Sequence, residues 1–145
     1  MKIRRIVIQD LTAISSLYVS VFSSPPWNEY WEYNWAHQRL RWIYNNRGFK
    51  GYVAEAGTTI LGAILGYSIP FRGEKGFNIL EFFVAAENQQ QGIGSQLCAK
   101  IELELKNCNY SFINLLTAKS SQAESFYLSK GYQINRQLEL LNKKI

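Results

Sequence analysis

Only two cysteines occur among 145 residues, Cys98 and Cys108, and both fall in or near one predicted helix. Ten residues of helix would set their Cα atoms about 15 Å apart, well beyond disulfide reach. A disulfide framework is thereby excluded, and the pair reads as reduced thiols of a cytoplasmic protein, one of them buried. Histidine is scarcer still. His37 stands alone and reads as structural, and no Gly-x-Ser-x-Gly elbow exists, so a Ser–His–Asp reading has no support. Long apolar runs are missing as well. The opening Met1-Lys2-Ile3-Arg4-Arg5 carries basic residues without the apolar core of a signal peptide, and no stretch approaches a membrane span. Lys and Arg are scattered, with no basic run interleaved with aromatics, which argues against a nucleic-acid groove. No metal site is predicted, and repeats, linkers and low-complexity segments are absent.

What remains is an ordinary globular composition, 47% hydrophobic and 19% charged, enough for one core and a single domain over residues 1–145. The net charge of +5 describes a generally basic surface that could also help attract an anionic ligand. Residues 2–9 alternate as a strand. Asp10 can cap a following helix in which Leu11, Ile14, Leu17, Tyr18, Val21 and Phe22 recur at helical spacing. A second helix is predicted from about residue 28 to 46, ended by Gly48. Strands follow at 49–55 and 59–69 around a tight turn at Gly57, then a polar loop at 72–76 and a third strand at 77–85. A helix after Gly94, a strand at 110–117, a helix at 120–130 and a last strand at 132–141 complete the chain. The order β-α-α-β-β-β-α-β-α-β gives an α/β fold with a mixed sheet and helices on both faces.

The most informative stretch is Leu80-Glu81-Phe82-Phe83-Val84, followed by Gln89-Gln90-Gln91-Gly92-Ile93-Gly94-Ser95. An apolar strand runs into a Gly-bearing loop that opens a helix. Such a junction aims unpaired backbone N–H groups at one spot, where the helix dipole also favours negative charge. Glycine lets the backbone approach phosphate oxygens without a Cβ in the way. A dinucleotide fingerprint would need glycine where Leu97 stands, and a hydrolase phosphate loop would need Lys after Gly94, where Ser95 stands. Neither pattern fits.

The stretch resembles the acetyl-coenzyme A loop of the GNAT acetyltransferases, Gln/Arg-x-x-Gly-x-Gly/Ala, matched by Gln89, Gly92 and Gly94 with Val84 upstream. A second likeness lies downstream, where Ala123-Glu124-Ser125-Phe126-Tyr127-Leu128-Ser129-Lys130-Gly131-Tyr132 looks like the family's Ala-x-x-Phe-Tyr-x-x-x-Gly-Phe segment. The two motifs cover residues 80–132. The resemblance implies acetyl-coenzyme A as cosubstrate, bound by Phe83, Val84, Gln89, Gln90, Gln91, Gly92, Ile93, Gly94, Ser95, Ser120 and Phe126. Ser120 stands where the family often has Asn and offers a shorter reach. Gln89 replaces a common Arg, so the loop relies on backbone N–H groups more than on side-chain charge. The family also admits a homodimer.

Acetylating an amine requires loss of its proton and a proton for the departing thiolate. The resemblance assigns the second task to Tyr127, against the alternative of a packing tyrosine. Glu81, the lone acid of its strand, is the candidate base, directly or through water, against the alternative of a carboxylate paired with a nearby Lys or Arg. Backbone N–H groups near Phe83, Val84 and Ala85 would polarise the carbonyl. The region 25–42 holds all four tryptophans. Trp27, Glu29 and Trp31 are the substrate-side candidates, because aromatics beside carboxylates suit a cationic, partly apolar amine. Phe22, Pro26-Trp27-Asn28-Glu29 and Trp31 make this part look similar to aminoglycoside-type small-amine acetyltransferases. The expected activity is N-acetylation of a small-molecule amine. A catalytically silent acyl-coenzyme A sensor, or an enzyme acting on peptide N-termini or lysines, are the alternatives.

Overall fold

The computed structural model describes residues 1–145. Strand β1 (Lys2–Arg5), helices α1 (Leu11–Phe22) and α2 (Tyr33–Tyr44), strands β2 (Phe49–Ala56), β3 (Thr59–Phe71) and β4 (Glu74–Val84), helix α3 (Ile93–Asn107), strand β5 (Phe112–Leu115) and helix α4 (Gln122–Ser129) follow in order. The strands form one sheet in the order β1-β2-β3-β4-β5, antiparallel except for the last pair, which is parallel. No helix is long and apolar enough to cross a membrane. The chain falls into two compact units, Met1–Leu115 and Leu116–Ile145.

In the first unit the period-two alternation of the strands builds two cores. Val53, Ala63 and Leu65 point to one face and pack with Leu11, Ile14, Tyr18 and Val21 of α1 and Ala36, Leu40 and Ile43 of α2. Tyr52, Ala54, Ile64, Phe77 and Ile79 point to the other and meet Ile93, Leu97, Ile101 and Leu105 of α3. This apolar stripe anchors α3, which starts at Ile93, one residue before Gly94 rather than after it. Its last turns are also held by charge, because Glu104 accepts hydrogen bonds from Arg5 (2.9 Å), Lys50 (3.1 Å) and Tyr52. No disulfide joins the two cysteines; Cys98 is buried and Cys108 half-buried.

Asp10 does not cap α1 with its side chain. Its carboxylate accepts the Val7 N–H at 2.8 Å and both arms of Arg4 at 2.8 and 2.9 Å, a closer-fitting set of donors than a helix end offers. Burial alone would raise the Asp10 pKa, but the Arg4 and Val7 hydrogen bonds outweigh it and hold the group below the ordinary aspartate value. A depressed carboxylate stabilises the fold above its unfolded pKa and loses that contribution as pH falls through the folded one. Asp10→Asn should therefore cost about 1.5–3 kcal/mol at neutral pH, with the deficit closing in acid. Melting curves from pH 7 down to pH 3 check it, and a deficit of constant size would rule out the ion pair as its source.

Several boundaries differ from the sequence expectation. The second helix starts at Tyr33 rather than near residue 28, because the chain turns first, with Asn28 at φ 49° and its N–H bonded to the Ser24 oxygen. The polar loop at 72–76 shrinks to Arg72 and Gly73, both at positive φ, as a two-residue hairpin turn requires. Trp35 and Trp42 are exposed. In the second unit Ser121, not Ser120, caps α4 by accepting the Glu124 N–H at 3.1 Å, and Gly131 ends it at φ 92°. The last strand expected at 132–141 does not form. Asn135 Oδ1 accepts the Gln137 N–H at 3.0 Å, and this local turn competes with extended pairing in the middle of the alternating run.

Candidate active site

Strand β4 carries a bulge that decides which way its side chains face. Leu65 pairs with Glu81 but Gly66 pairs with Ile79, so Leu80 is an extra residue in the ladder. The approach is close: a Cβ on Gly66 would stand 1.8 Å from the Asn78 carbonyl oxygen, so only glycine fits opposite the bulge. The extra residue shifts the alternation. Phe77 and Ile79 lie on the α3 face before it, whereas Phe83 packs with α1 and α2 after it, and Glu81 faces the same helices. The pairing of β4 with β5 ends at Ile79 and Leu115, short of the bulge.

Glu81 is buried, with 7% of its surface exposed, and sits between the two helices. The Tyr18 hydroxyl donates to Oε1 at 3.0 Å, and Arg39 Nε donates to the same oxygen. Neither bond uses Oε2. Burial pushes the Glu81 carboxyl up, and the Arg39 and Tyr18 contacts pull it back only in part, so its pKa stays above the ordinary glutamate value. The Tyr18 hydroxyl is raised by its own burial and by the adjacent Glu81, which keeps it a neutral donor. Aromatic rings enclose the pair. Tyr18 meets Trp31 at 4.8 Å and Phe83 at 5.4 Å, and Phe22 links it at 4.5 Å to Trp27 at 5.5 Å. Exposed Glu29 accepts the Trp31 Nε1–H at 3.0 Å. Trp27, Glu29, Trp31, Glu81 and Phe83 thus belong to one connected cluster, while His37 stacks on Tyr33 away from it.

Tyr18 and Arg39 were not singled out from the sequence as site residues. A signal existed for each. Tyr18 lies on the apolar stripe of α1 with a hydroxyl that needs a partner. Arg39 interrupts the buried stripe Ala36, Leu40, Ile43, where a cation requires a carboxylate across the interface.

Beyond Val84 the chain makes a short turn and enters α3. Gln89 Nε2 donates back to the Val84 oxygen at 3.0 Å, and Gln91 Nε2 donates to the Glu87 oxygen at 3.2 Å. Gln90 at φ 61° and Gly92 at φ 82° wind the loop up to the helix start. The first intrahelical bond runs from the Gln96 N–H to the Gly92 oxygen at 3.0 Å, so the N–H groups of Ile93, Gly94 and Ser95 precede it, and no side chain caps this end. The Ile93 side chain is buried in the core, leaving only its N–H for a ligand. A Cβ on Gly92 would meet no protein atom within 4 Å, so the space beside this residue is open. These features fit a pyrophosphate. One expected contact is lost: the Ala85 N–H already donates to the Leu61 oxygen at 2.8 Å and cannot polarise a carbonyl.

In the second unit the Phe126 and Tyr127 rings pack at 5.5 Å, as do Tyr127 and Tyr132. Ser120 is exposed and adopts φ 56°.

A family model described as an acetyltransferase (GNAT) domain matches residues 24–140. A search of curated proteins finds no match. Among solved structures, a probable acetyltransferase superposes with a TM-score of 0.83 at 15% identity, covering 100% of this chain and 98% of that one. A possible acetyltransferase from Clostridium difficile 630 gives 0.82 at 16% identity, with 99% and 97% covered. An aminoglycoside acetyltransferase from an uncultured soil metagenomic sample, in complex with sisomicin, gives 0.77 at 20% identity, with 99% and 95% covered.

Proposed function

Because this chain belongs to the GNAT acetyltransferase family, we propose that it moves an acetyl group from acetyl-coenzyme A to the primary amine of a small molecule. The observation that carries this reading is the layout of β4. One strand holds a buried carboxylate in an aromatic cluster and, just beyond Val84, runs into an uncapped, Gly92-fronted helix start. The neighbouring aminoglycoside acetyltransferase, solved with sisomicin, supports a small-molecule acceptor.

The N–H groups of Ile93, Gly94 and Ser95, with Gly92, Gln90 and Gln91 around them, would hold the pyrophosphate. Gln89 would keep the loop in place through its bond to the Val84 oxygen. Backbone at Phe83 and Val84 would flank the thioester end, and Ser120 and Phe126 would serve the pantetheine arm. When bound, acetyl-coenzyme A supplies the acetyl group as a thioester. Glu81 Oε2, directly or through a water, accepts the proton of the incoming ammonium. An amine of Lys-like pKa, about 10.4, is otherwise almost wholly protonated at neutral pH. In the role that the family resemblance gives it, Tyr127 would donate its phenolic proton to the departing sulfur. Trp27, Trp31 and Glu29 line the acceptor side.

Thiol release from acetyl-coenzyme A in the presence of an amine panel tests the activity, and no release with any primary amine would overturn it. Tyr127→Phe should lower turnover about a hundredfold while acetyl-coenzyme A affinity holds, since the ring remains and only the proton donor is lost. Single-turnover rates beside calorimetry separate the two quantities. Turnover equal to wild type would reduce Tyr127 to packing.

A further inference from the structure

The acceptor site has a cation built into it. Arg39 reaches from α2 to Glu81 through Nε, and its Nη groups donate to no carboxylate. Its side chain remains 40% exposed, so beyond its contacts with Glu81 and the Tyr18 hydroxyl it is within reach of a ligand. A guanidinium offers five N–H donors in a planar fork, and one carboxylate oxygen on Nε leaves the fork available.

The surrounding charges sharpen the point. Asp10 and Glu81 are the two buried carboxylates, and Asp10 is bound to Arg4. Glu81 is neutralised by Arg39. Glu29 is exposed and engaged by Trp31. A second ammonium on the acceptor would meet Arg39 with no unpaired buried carboxylate to receive it. A carboxylate on the acceptor would meet the open fork and form a charge-assisted, two-bond contact. The rest of the wall, Tyr18, Phe22, Trp31 and Phe83, accommodates an apolar group.

We propose that Arg39 makes this site selective for amines that also carry a carboxylate and an apolar group, of the apolar amino-acid type, over polyamines and simple amines. The inference rests on the acetyl-transfer reading of the same site. It gives Arg39 two tasks, holding Glu81 Oε1 and receiving the acceptor's carboxylate.

The test compares matched acceptors on the full-length protein with acetyl-coenzyme A: phenylalanine against phenethylamine, leucine against 3-methylbutylamine, and spermidine as a polycation. Rates are corrected for the free-amine fraction of each compound. The carboxylate member of each pair should be favoured in kcat/KM by at least about tenfold, the size of one charged hydrogen bond, with the difference carried by KM. Arg39→Gln should erase that preference, and Arg39→Lys should restore part of it. A purely structural role would lower the rates of all acceptors alike and leave the ratio unchanged. Equal use of both members, a preference for spermidine, or a ratio unmoved by Arg39→Gln would each overturn the proposal. Where turnover is absent, calorimetric titration of phenylalanine and phenethylamine into the coenzyme A complex decides, and failure of phenylalanine to bind more tightly overturns it too. Coenzyme A binding is measured first. Its presence beside a failed preference sinks only the Arg39 assignment, and its absence sinks the acetyl-transfer reading as well.

Discussion

Replacing Glu81 by Gln should slow acetyl transfer by about 10²–10⁴-fold near neutral pH and leave coenzyme A affinity unchanged. The amide oxygen can still accept from Tyr18 and Arg39, which both bond Oε1, so the shape of the site survives. What disappears is the basic oxygen Oε2. The pH dependence follows from the direction of the Glu81 shift. Burial raises its pKa, Arg39 and Tyr18 only partly offset this, and the net displacement is upward. A base works once deprotonated, so the wild-type rate should climb through a limb lying above the usual glutamate range, and the variant should lack that limb. As pH rises further the acceptor amine sheds its own proton, and the gap between the two proteins narrows. Stability runs the other way. A carboxyl whose folded pKa is raised contributes stability below its unfolded pKa, and this is lost as pH rises through the folded value. At neutral pH Glu81 therefore gives up stability by staying ionised, and the half-exposed Arg39 of the variant can be hydrated. Little change in melting temperature is expected. If Glu81 were only one arm of a structural pair, its loss would cost about 3–5 kcal/mol and leave the pH profile as it was. That combination would falsify the base assignment.

Elements whose signal is local were legible in the sequence. The meander of β2, β3 and β4 follows from alternation and from Gly57, which takes φ 61° in the turn between the first two. That a helix follows the glycine loop was legible from the glycine spacing, although it starts at Ile93 rather than after Gly94, with Ile93, Leu97, Ile101 and Leu105 in the core. Features set by pairing between distant segments were not legible. The bulge at Leu80 depends on how closely Gly66 of the neighbouring strand approaches, and without the bulge the alternation would turn Glu81 towards α3. The ion pair joins residues 42 apart in sequence, and Arg39, although it interrupts the apolar stripe of α2, carries no local sign of which carboxylate it meets. Even the expectation of a basic partner for Glu81 gave no way to choose among 16 lysines and arginines. The missing last strand shows the opposite limit. Tyr132, Ile134, Leu138 and Leu140 alternate as a strand should, yet no strand forms, and Asn135 instead takes the Gln137 N–H in a local turn that competes with pairing.

The substitution expected to act most sharply on the cosubstrate is Gly92→Val, which should remove measurable coenzyme A binding while the sheet and α3 persist. Two effects combine at this position. Gly92 adopts φ 82°, ψ 1°, a left-handed conformation that costs an L-residue roughly 1–2 kcal/mol, and a β-branched residue more. Relief of that strain would reorient the peptide groups leading into Ile93, Gly94 and Ser95. The second effect is occupancy. A Cβ here meets no protein atom within 4 Å, so the valine methyls would stand in open space beside the helix start, where a ligand would sit, rather than be absorbed by the core. Gly92→Asn distinguishes the two, because Asn tolerates the left-handed region but still fills space. If occupancy dominates, Asn should fold like the parent and bind coenzyme A poorly. If conformation dominates, Asn should retain binding while Val loses it. Calorimetry with coenzyme A, beside a melting curve for each variant, reads both quantities. Parental affinity in Gly92→Val would mean that the pyrophosphate lies elsewhere, and the assignment of Ile93, Gly94 and Ser95 as its donors would fall with it.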